Sequence, residues 1–77
     1  MAQKLHEVFA TVLEQPISAI SPATSPDMVR SWTSLRHMAL VKAIEDTYAV
    51  KFSLDDILDM KSVGDAHALL LQKGVTP

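Results

Sequence analysis

The sequence predicts an all-α fold, a small bundle of four helices with a long first loop and a short third helix. Apolar residues recur at helical spacing in two long segments, and serines that favour helix N-termini precede two later ones. The one extended segment, VKFS at residues 50–53, has four residues. With 77 residues, the chain is expected to form one domain over residues 1–77.

The first helix is predicted over residues 3–14, and Pro16 closes it. The apolar residues that follow the i, i+3, i+4, i+7 pattern are Leu5, Val8, Phe9, Val12 and Leu13.

Residues 15–33 contain three prolines and many hydroxyl residues, which predicts a loop. It exceeds the roughly 12–15 residues usual inside a compact domain, so it is either functional or a crossover between helices that are not hairpin neighbours. Its apolar residues, expected to lie on the core, are Ile17, Ile20, Met28, Val29 and Trp32. The Trp32 ring is expected to anchor the end of the loop.

The second helix is predicted over residues 34–48, and its apolar side chains fall in two groups. One arc of about 100° forms the expected core face. The residues on that arc are His37, Leu40, Val41, Ile44 and Tyr48. Leu35, Met38 and Ala39 fall outside it, on the side shared with Lys42 and Asp46. We therefore expect an exposed apolar surface at the start of this helix.

Two capping signatures predict the remaining helices. Ser53 precedes a short third helix that carries Leu54, Ile57 and Leu58. Ser62 precedes a fourth, predicted to run to Lys73 and to stop at Gly74. The apolar residues expected on the fourth helix are Val63, Ala66, Leu69 and Leu70.

Composition and charge exclude several classes of function. The chain has no cysteine, hence no thiolate nucleophile and no cysteine zinc site. His6, His37 and His67 lack metal-ligand spacing, so no metal site is predicted. Residues 45–66 carry six acids against two lysines, which disfavours a helical nucleic-acid binder and suits a basic protein surface.

Neither a signal peptide nor an apolar run of about 18 residues is evident, so the expectation is a cytoplasmic protein without membrane insertion. A monomer is also expected.

Ser34, at the start of the second helix, allows three interpretations. It could be the N-cap, although Ser31 or Thr33 would serve equally well. It could be a nucleophile with His37 as base, but no third orienting group lies nearby and no glycines mark a nucleophile elbow. It could also be a point of covalent attachment, since a helix N-terminus favours a phosphodiester, with Arg36 as a cation beside it.

The segment WTSLRHMALVKAIEDTYAVKFSLDDILDMKSVGD, residues 32–65, resembles the centre of an acyl carrier protein. The motif stands here as Thr33-Ser34-Leu35, in the Trp-x-Ser-Leu-x-His form, and the likeness covers nearly the whole chain. The resemblance implies that Ser34 receives 4′-phosphopantetheine from coenzyme A through a phosphopantetheinyl transferase. The arm's thiol would then carry a group as a thioester between acyl-loading and acyl-using enzymes, and the chain itself would catalyse nothing.

Partner recognition is predicted at a set of residues around Ser34 and on the third helix. They are Thr33, Leu35, Arg36, Met38, Ala39, Lys42, Asp55, Asp56 and Asp59. The family usually has an acid where Thr33 stands, which motivates an alternative, an interaction module on the same fold that has lost modification. An aminoacyl or peptidyl carrier is a further alternative, because the sequence does not distinguish fatty acyl, polyketide, hydroxyacyl and aminoacyl cargo.

Overall fold

Four α-helices form over residues 3–77, the part of the chain described by a computed structural model. They are α1 (Gln3–Leu13), α2 (Ser34–Tyr48), α3 (Leu54–Asp59) and α4 (Val63–Gln72). A short 3₁₀ helix at Ile17–Ala19 lies in the long loop, and no strand forms within the described range. The predicted all-α fold is confirmed. The first and fourth helices each end one residue earlier than predicted, at Leu13 and Gln72.

The core is built mainly from aliphatic side chains, most of them on the four helices. α1 packs most extensively against α2, and α4 also contacts α1. The fully buried side chains of largest volume are Phe9, Leu5, Leu13, Leu40, Ile44, Met60, Leu70 and Val63. On α2 the predicted core face is confirmed at Leu40, Val41 and Ile44. His37 and Tyr48 lie half-buried at its two ends.

The long loop lies on the core through Ile20, Val29 and Trp32, which are buried as expected. For Ile17 and Met28 the expectation was wrong, because both are exposed. Each lies in a tight turn: Ile17 begins the 3₁₀ helix, and the Met28 N–H donates to the Ser25 carbonyl. Successive side chains in a turn point in several different directions, so only some of the apolar residues reach the core.

The loop is tied to the start of α4 by backbone hydrogen bonds. The Val63 N–H donates to the Thr24 carbonyl at 3.0 Å, and the Gly64 N–H donates to the Pro22 carbonyl at 2.9 Å. Both donors belong to the first turn of α4, where N–H groups lack partners within the helix. Thr24 is itself buried, and its hydroxyl donates to the Ala19 carbonyl at 3.2 Å. The loop therefore caps α4 while it delivers Trp32 and Ser34 to the start of α2.

α3 is short and lies at the edge of the bundle. Ser53 caps it as predicted, in a capping box: its hydroxyl accepts from the Asp56 N–H, and the Asp56 carboxylate accepts from the Ser53 N–H. None of its six residues is buried, and Leu54 and Leu58 are 70% and 63% exposed. Leu54 and Leu58 are four residues apart and so share one face of α3, which is turned to solvent, whereas Ile57 is half-buried.

Candidate functional site

Thr33, not Ser34, is the N-cap of α2. Its backbone is extended, with φ −89° and ψ 173°, and its hydroxyl accepts a hydrogen bond from the Arg36 N–H at 3.2 Å. The other candidate cap, Ser31, donates its hydroxyl to the Leu13 carbonyl at 2.6 Å and so holds the loop to α1. Ser34 is the first helical residue and is exposed. Within residues 3–77 its hydroxyl makes no hydrogen bond, so it is available for reaction.

His37, one turn beyond Ser34, has both ring nitrogens engaged. The Trp32 Nε1–H donates to His37 Nδ1 at 3.0 Å, and His37 Nε2 lies 2.9 Å from the Ile57 carbonyl oxygen. An indole N–H only donates and a carbonyl only accepts, so the ring is neutral with its hydrogen on Nε2. No lone pair remains to accept a proton from Ser34. The serine–histidine dyad considered from the sequence is therefore excluded by this arrangement.

Arg36 contacts the end of α1 instead of supplying a cation beside Ser34. Its Nη1 donates to the Val12 carbonyl at 2.6 Å, and its Nη2 lies 3.3 Å from the Glu14 carboxylate. The Val12 carbonyl belongs to the last turn of α1, where carbonyls lack partners within the helix. The guanidinium thus caps α1 and fixes the start of α2 against it.

An apolar cleft of about 450 Å³ opens directly beside Ser34. It lies between the end of the long loop, the first turns of α2 and α3. The residues that line it are Pro26, Trp32, Thr33, Ser34, His37, Met38, Leu54, Ile57, Leu58, Met60 and Lys61. The polar groups of Thr33 and His37 are already hydrogen-bonded, so the cleft offers a mainly apolar surface to a ligand.

Met38, Leu54 and Leu58 are exposed apolar residues that line this cleft, and exposed Leu35 directly follows Ser34; we call these four residues the apolar patch. Leu35 is 82% exposed, and Met38 and Ala39 are exposed as the helical spacing predicted. Sequence analysis missed the α3 members, because Leu54 and Leu58 have the same spacing as core residues. The brevity of the α3 segment was the available signal.

The three aspartates of α3 differ in their environments. Asp55 and Asp59 are exposed and make no ion pair within the described residues. Asp56 accepts from the Ser53 N–H at 3.0 Å and pairs with Lys73 Nζ at 3.0 Å. These contacts, the Ser53 backbone hydrogen bond foremost, lower the pKa of the Asp56 carboxyl below its ordinary value. Asp55 and Asp59 are left available to a partner, whereas Asp56 is engaged in the fold.

Three further features of the described residues bear on function. Lys42 pairs with Asp46 at 3.4 Å along the exposed side of α2. Among residues 3–77, no group of three potential metal ligands comes together, and no helix has the length and apolar character needed to cross a bilayer.

Comparison with known proteins places this geometry in a family. Residues 3–70 match the family model described as "Phosphopantetheine attachment site". A holo acyl carrier protein from Geobacter metallireducens, solved in solution by NMR, superposes with a TM-score of 0.82 at 31% sequence identity. That match covers 95% of this chain and 86% of the other. No curated protein sequence matches the chain.

Proposed function

Because the chain belongs to the family of phosphopantetheine attachment-site domains, whose members are carriers and not enzymes, we propose that Ser34 is the residue that bears the 4′-phosphopantetheine. The observation that carries the proposal is the Ser34 hydroxyl at the first position of α2, which is exposed and makes no hydrogen bond to any residue from 3 to 77. The neighbouring Thr33 performs the capping, so modification of Ser34 costs the helix no cap.

The residues around Ser34 suit a phosphodiester. The N–H groups of Ser34 and Leu35 lie in the first turn of α2, where the helix dipole favours negative charge. The chain has no cysteine, so the thiol that holds cargo as a thioester is supplied by the bound arm. The protein's own part is to hold Ser34 at a fixed position, with Trp32 buried behind it and Arg36 bonded to α1.

The cleft beside Ser34 is the proposed shelter for an apolar cargo. Its walls are formed mainly by Met38, Leu54, Ile57 and Leu58, and the polar groups of Trp32, Thr33 and His37 that line it are already bonded within the protein. Each methylene that enters gains about 0.8 kcal/mol. A charged aminoacyl group finds no carboxylate among the lining residues and is repelled by Lys61. The geometry therefore favours an acyl or polyketide cargo over an aminoacyl one.

The apolar patch, with Ala39 and the nearby Asp55 and Asp59, is the proposed docking surface for the transferase and for acyl-handling enzymes. An apolar centre with acids beside it suits a partner that carries a complementary apolar site with basic residues at its rim. The predicted roles of Thr33, Arg36, Lys42 and Asp56 in recognition belong to the same proposal. We place this activity in the cytoplasm and in a monomer, within fatty-acid, polyketide or other specialised biosynthesis.

Thr33 favours one alternative, an interaction module on the same fold that is not modified. The related carriers usually have an acid at this position, which helps the transferase. In this alternative the apolar patch binds a partner directly, and Ser34 remains an unmodified helical residue.

Intact mass spectrometry tests the attachment site. The protein is incubated with coenzyme A and a broad-specificity phosphopantetheinyl transferase, beside Ser34→Ala and Ser18→Ala, the latter an exposed serine of the loop. We expect wild type and Ser18→Ala to gain the mass of one phosphopantetheine and Ser34→Ala to gain none. Absence of gain with several transferases would favour the unmodified module. Gain in Ser34→Ala would show that another residue is used.

A pair of exposed leucines tests the docking surface. Leu35→Asp changes the apolar patch, and Leu71→Asp makes the same change on α4, where Leu71 is also exposed. The rate of modification should fall at least tenfold for Leu35→Asp and stay near wild type for Leu71→Asp. Equal rates in the two variants would remove Leu35 from the docking surface.

A further inference from the structure

Within the cleft wall, α3 is a short helix that lies between two buried residues, Phe52 before it and Met60 after it. It has six residues, none of them buried, and Leu54 and Leu58 lie mostly in solvent. Its only apolar side chain packed partly on the core is that of Ile57. Few buried apolar contacts mean a low free energy of local opening. The polar contacts that join α3 to the other helices therefore have a large share in keeping it in place.

Two such contacts are present in the described residues. On one side, Asp56 pairs with Lys73, just beyond the end of α4. On the other, the His37 Nε2–H of α2 donates to the Ile57 carbonyl at 2.9 Å. Inside the short helix that carbonyl receives only the Met60 N–H, at 3.4 Å, so His37 supplies its shorter hydrogen bond.

The His37 ring is itself held by the loop before Ser34. The Trp32 Nε1–H donates to His37 Nδ1, and the two rings lie edge to edge with centroids 6.0 Å apart and planes 20° from parallel. Trp32 is in turn buried against Phe9 in an edge-to-face contact at 5.4 Å. A continuous set of contacts therefore runs from α1 through the loop and α2 to the backbone of α3. Trp32, His37 and Ile57 all line the cleft beside Ser34.

We propose that His37 is a positioning residue that fixes α3 against α2 and thereby sets the width of the cargo cleft beside Ser34. It does so as a neutral ring with its hydrogen on Nε2, bonded at both nitrogens. To widen the cleft on the α3 side, the His37–Ile57 hydrogen bond must break. That His37 positions α3 is inferred from the geometry alone. That this positioning affects cargo rests on the proposed function.

The ring state of His37 is tested first, in the unmodified wild-type chain. ¹⁵N NMR of the imidazole should show, near neutral pH, a single neutral tautomer with hydrogen on Nε2. The Trp32 indole N–H should exchange slowly, because it is buried and bonded. A hydrogen on Nδ1, or a rapidly averaging mixture of tautomers, would overturn the proposal whether or not any variant folds.

The hold on α3 is tested by amide hydrogen exchange in two variants and a control. His37→Phe keeps an aromatic ring but removes both hydrogen bonds, whereas His37→Gln keeps a donor and an acceptor. The matched control is the substitution His67→Phe, because His67 is a half-buried histidine of α4. In His37→Phe, the amides of Ile57, Leu58 and Asp59 should exchange about fivefold faster relative to those of α1 and α4, the effect of one lost hydrogen bond.

His37→Gln should recover most of that protection, and His67→Phe should leave the ratio between α3 and α1 unchanged. If His37→Phe speeds exchange by one common factor in all helices, or leaves α3 unchanged, His37 does not position α3. Because every sample lacks the phosphopantetheine arm, these outcomes are independent of whether Ser34 is modified. A failed attachment at Ser34 would leave the positioning of α3 intact and remove only its link to cargo.

Discussion

The hydroxyl of Thr33 accepts a hydrogen bond from the backbone N–H of Arg36 at 3.2 Å, which makes Thr33 the cap of α2. The two adjacent hydroxyl residues therefore have different roles. Thr33 stabilises the helix, and Ser34 presents a hydroxyl that the fold does not use. An aspartate at this position would cap the helix equally well and would add a negative charge. With threonine as the cap, the first turn of α2 has no acidic residue.

Replacement of Thr33 separates capping from charge. Thr33→Ala should lower the free energy of unfolding by about 1 kcal/mol, because the Arg36 N–H loses its acceptor. Thr33→Asp should match or exceed wild type, since aspartate caps and adds charge at the positive end of the helix dipole. Urea denaturation measures both. Equal stability of the alanine variant and wild type would contradict the capping role.

The same Thr33→Asp variant bears on modification. Because an acid at this position is the usual form in related carriers, we expect a several-fold faster gain of phosphopantetheine from a broad-specificity transferase. The rate follows from intact mass over time, with Thr33→Asn as an uncharged capping control. A rate that rises equally for Asn and Asp would assign the effect to capping and not to charge.

Asp56 should make stability depend on acid pH. Its contacts with Ser53 and Lys73 lower its folded-state pKa, so its stabilisation is present above the ordinary aspartate pKa of about 3.9 and is lost as pH falls through the lowered value. Asp56→Asn should flatten the fall in unfolding free energy between about pH 5 and pH 2. Exposed Asp55→Asn is the control and should keep the wild-type profile. Identical profiles for the two variants would contradict this assignment.

Replacement of Gly64 even by alanine should destabilise the protein. A Cβ there would lie 3.0 Å from the Pro22 carbonyl oxygen, which also accepts the Gly64 N–H. Alanine normally gains about 1 kcal/mol over glycine in a helix. Here we expect a net loss of about 1–2 kcal/mol in unfolding free energy, because backbone must move to admit the methyl group. Thermal unfolding measures it, and a stabilised Gly64→Ala would show that the loop gives way at little cost.

Tyr48 carries a hydroxyl that is buried and has no hydrogen-bond partner within the described residues. Burial raises the pKa of the Tyr48 phenol, so the neutral form is preferred in the folded state. Above the ordinary tyrosine pKa of about 10 the unfolded state ionises first, so the free energy of unfolding falls as pH rises from there through the raised value. Near neutral pH the phenol is neutral, and its buried, unpaired hydroxyl is a cost to the fold, so Tyr48→Phe should raise the free energy of unfolding by up to about 1 kcal/mol. A loss of more than 1 kcal/mol would mean that the hydroxyl has a partner.

Most of the fold could be predicted from local sequence patterns. The boundaries of α2 and the outward placement of Leu35 and Met38 follow from helical spacing, which depends only on neighbours three and four residues away. The caps Ser53 and Ser62 act within one turn, so they too are visible in the sequence. The resemblance over residues 32–65 supplied the family, which the comparisons confirmed.

The contacts that sequence analysis missed join residues far apart in the chain. Arg36 reaches Val12 across 24 residues, and His37 reaches Ile57 across 20. No periodicity encodes such pairs, since they exist only once the helices have packed. The sequence could not predict that Thr33, and not Ser34, caps α2, for a different reason. Both residue types cap well, and the backbone angles decide which of the two does so.

The measurement that tests the central claim most directly is a count of thiols per chain. The sequence has no cysteine, so any thiol found on the chain after treatment with coenzyme A and transferase, once the transferase and small molecules have been removed, belongs to an attached arm. We predict one thiol per chain in wild type and none in Ser34→Ala, with the wild-type thiol disappearing on acyl loading and returning with hydroxylamine. A wild-type chain without a thiol, or a thiol that survives in Ser34→Ala, would contradict the account of Ser34 as the point of attachment.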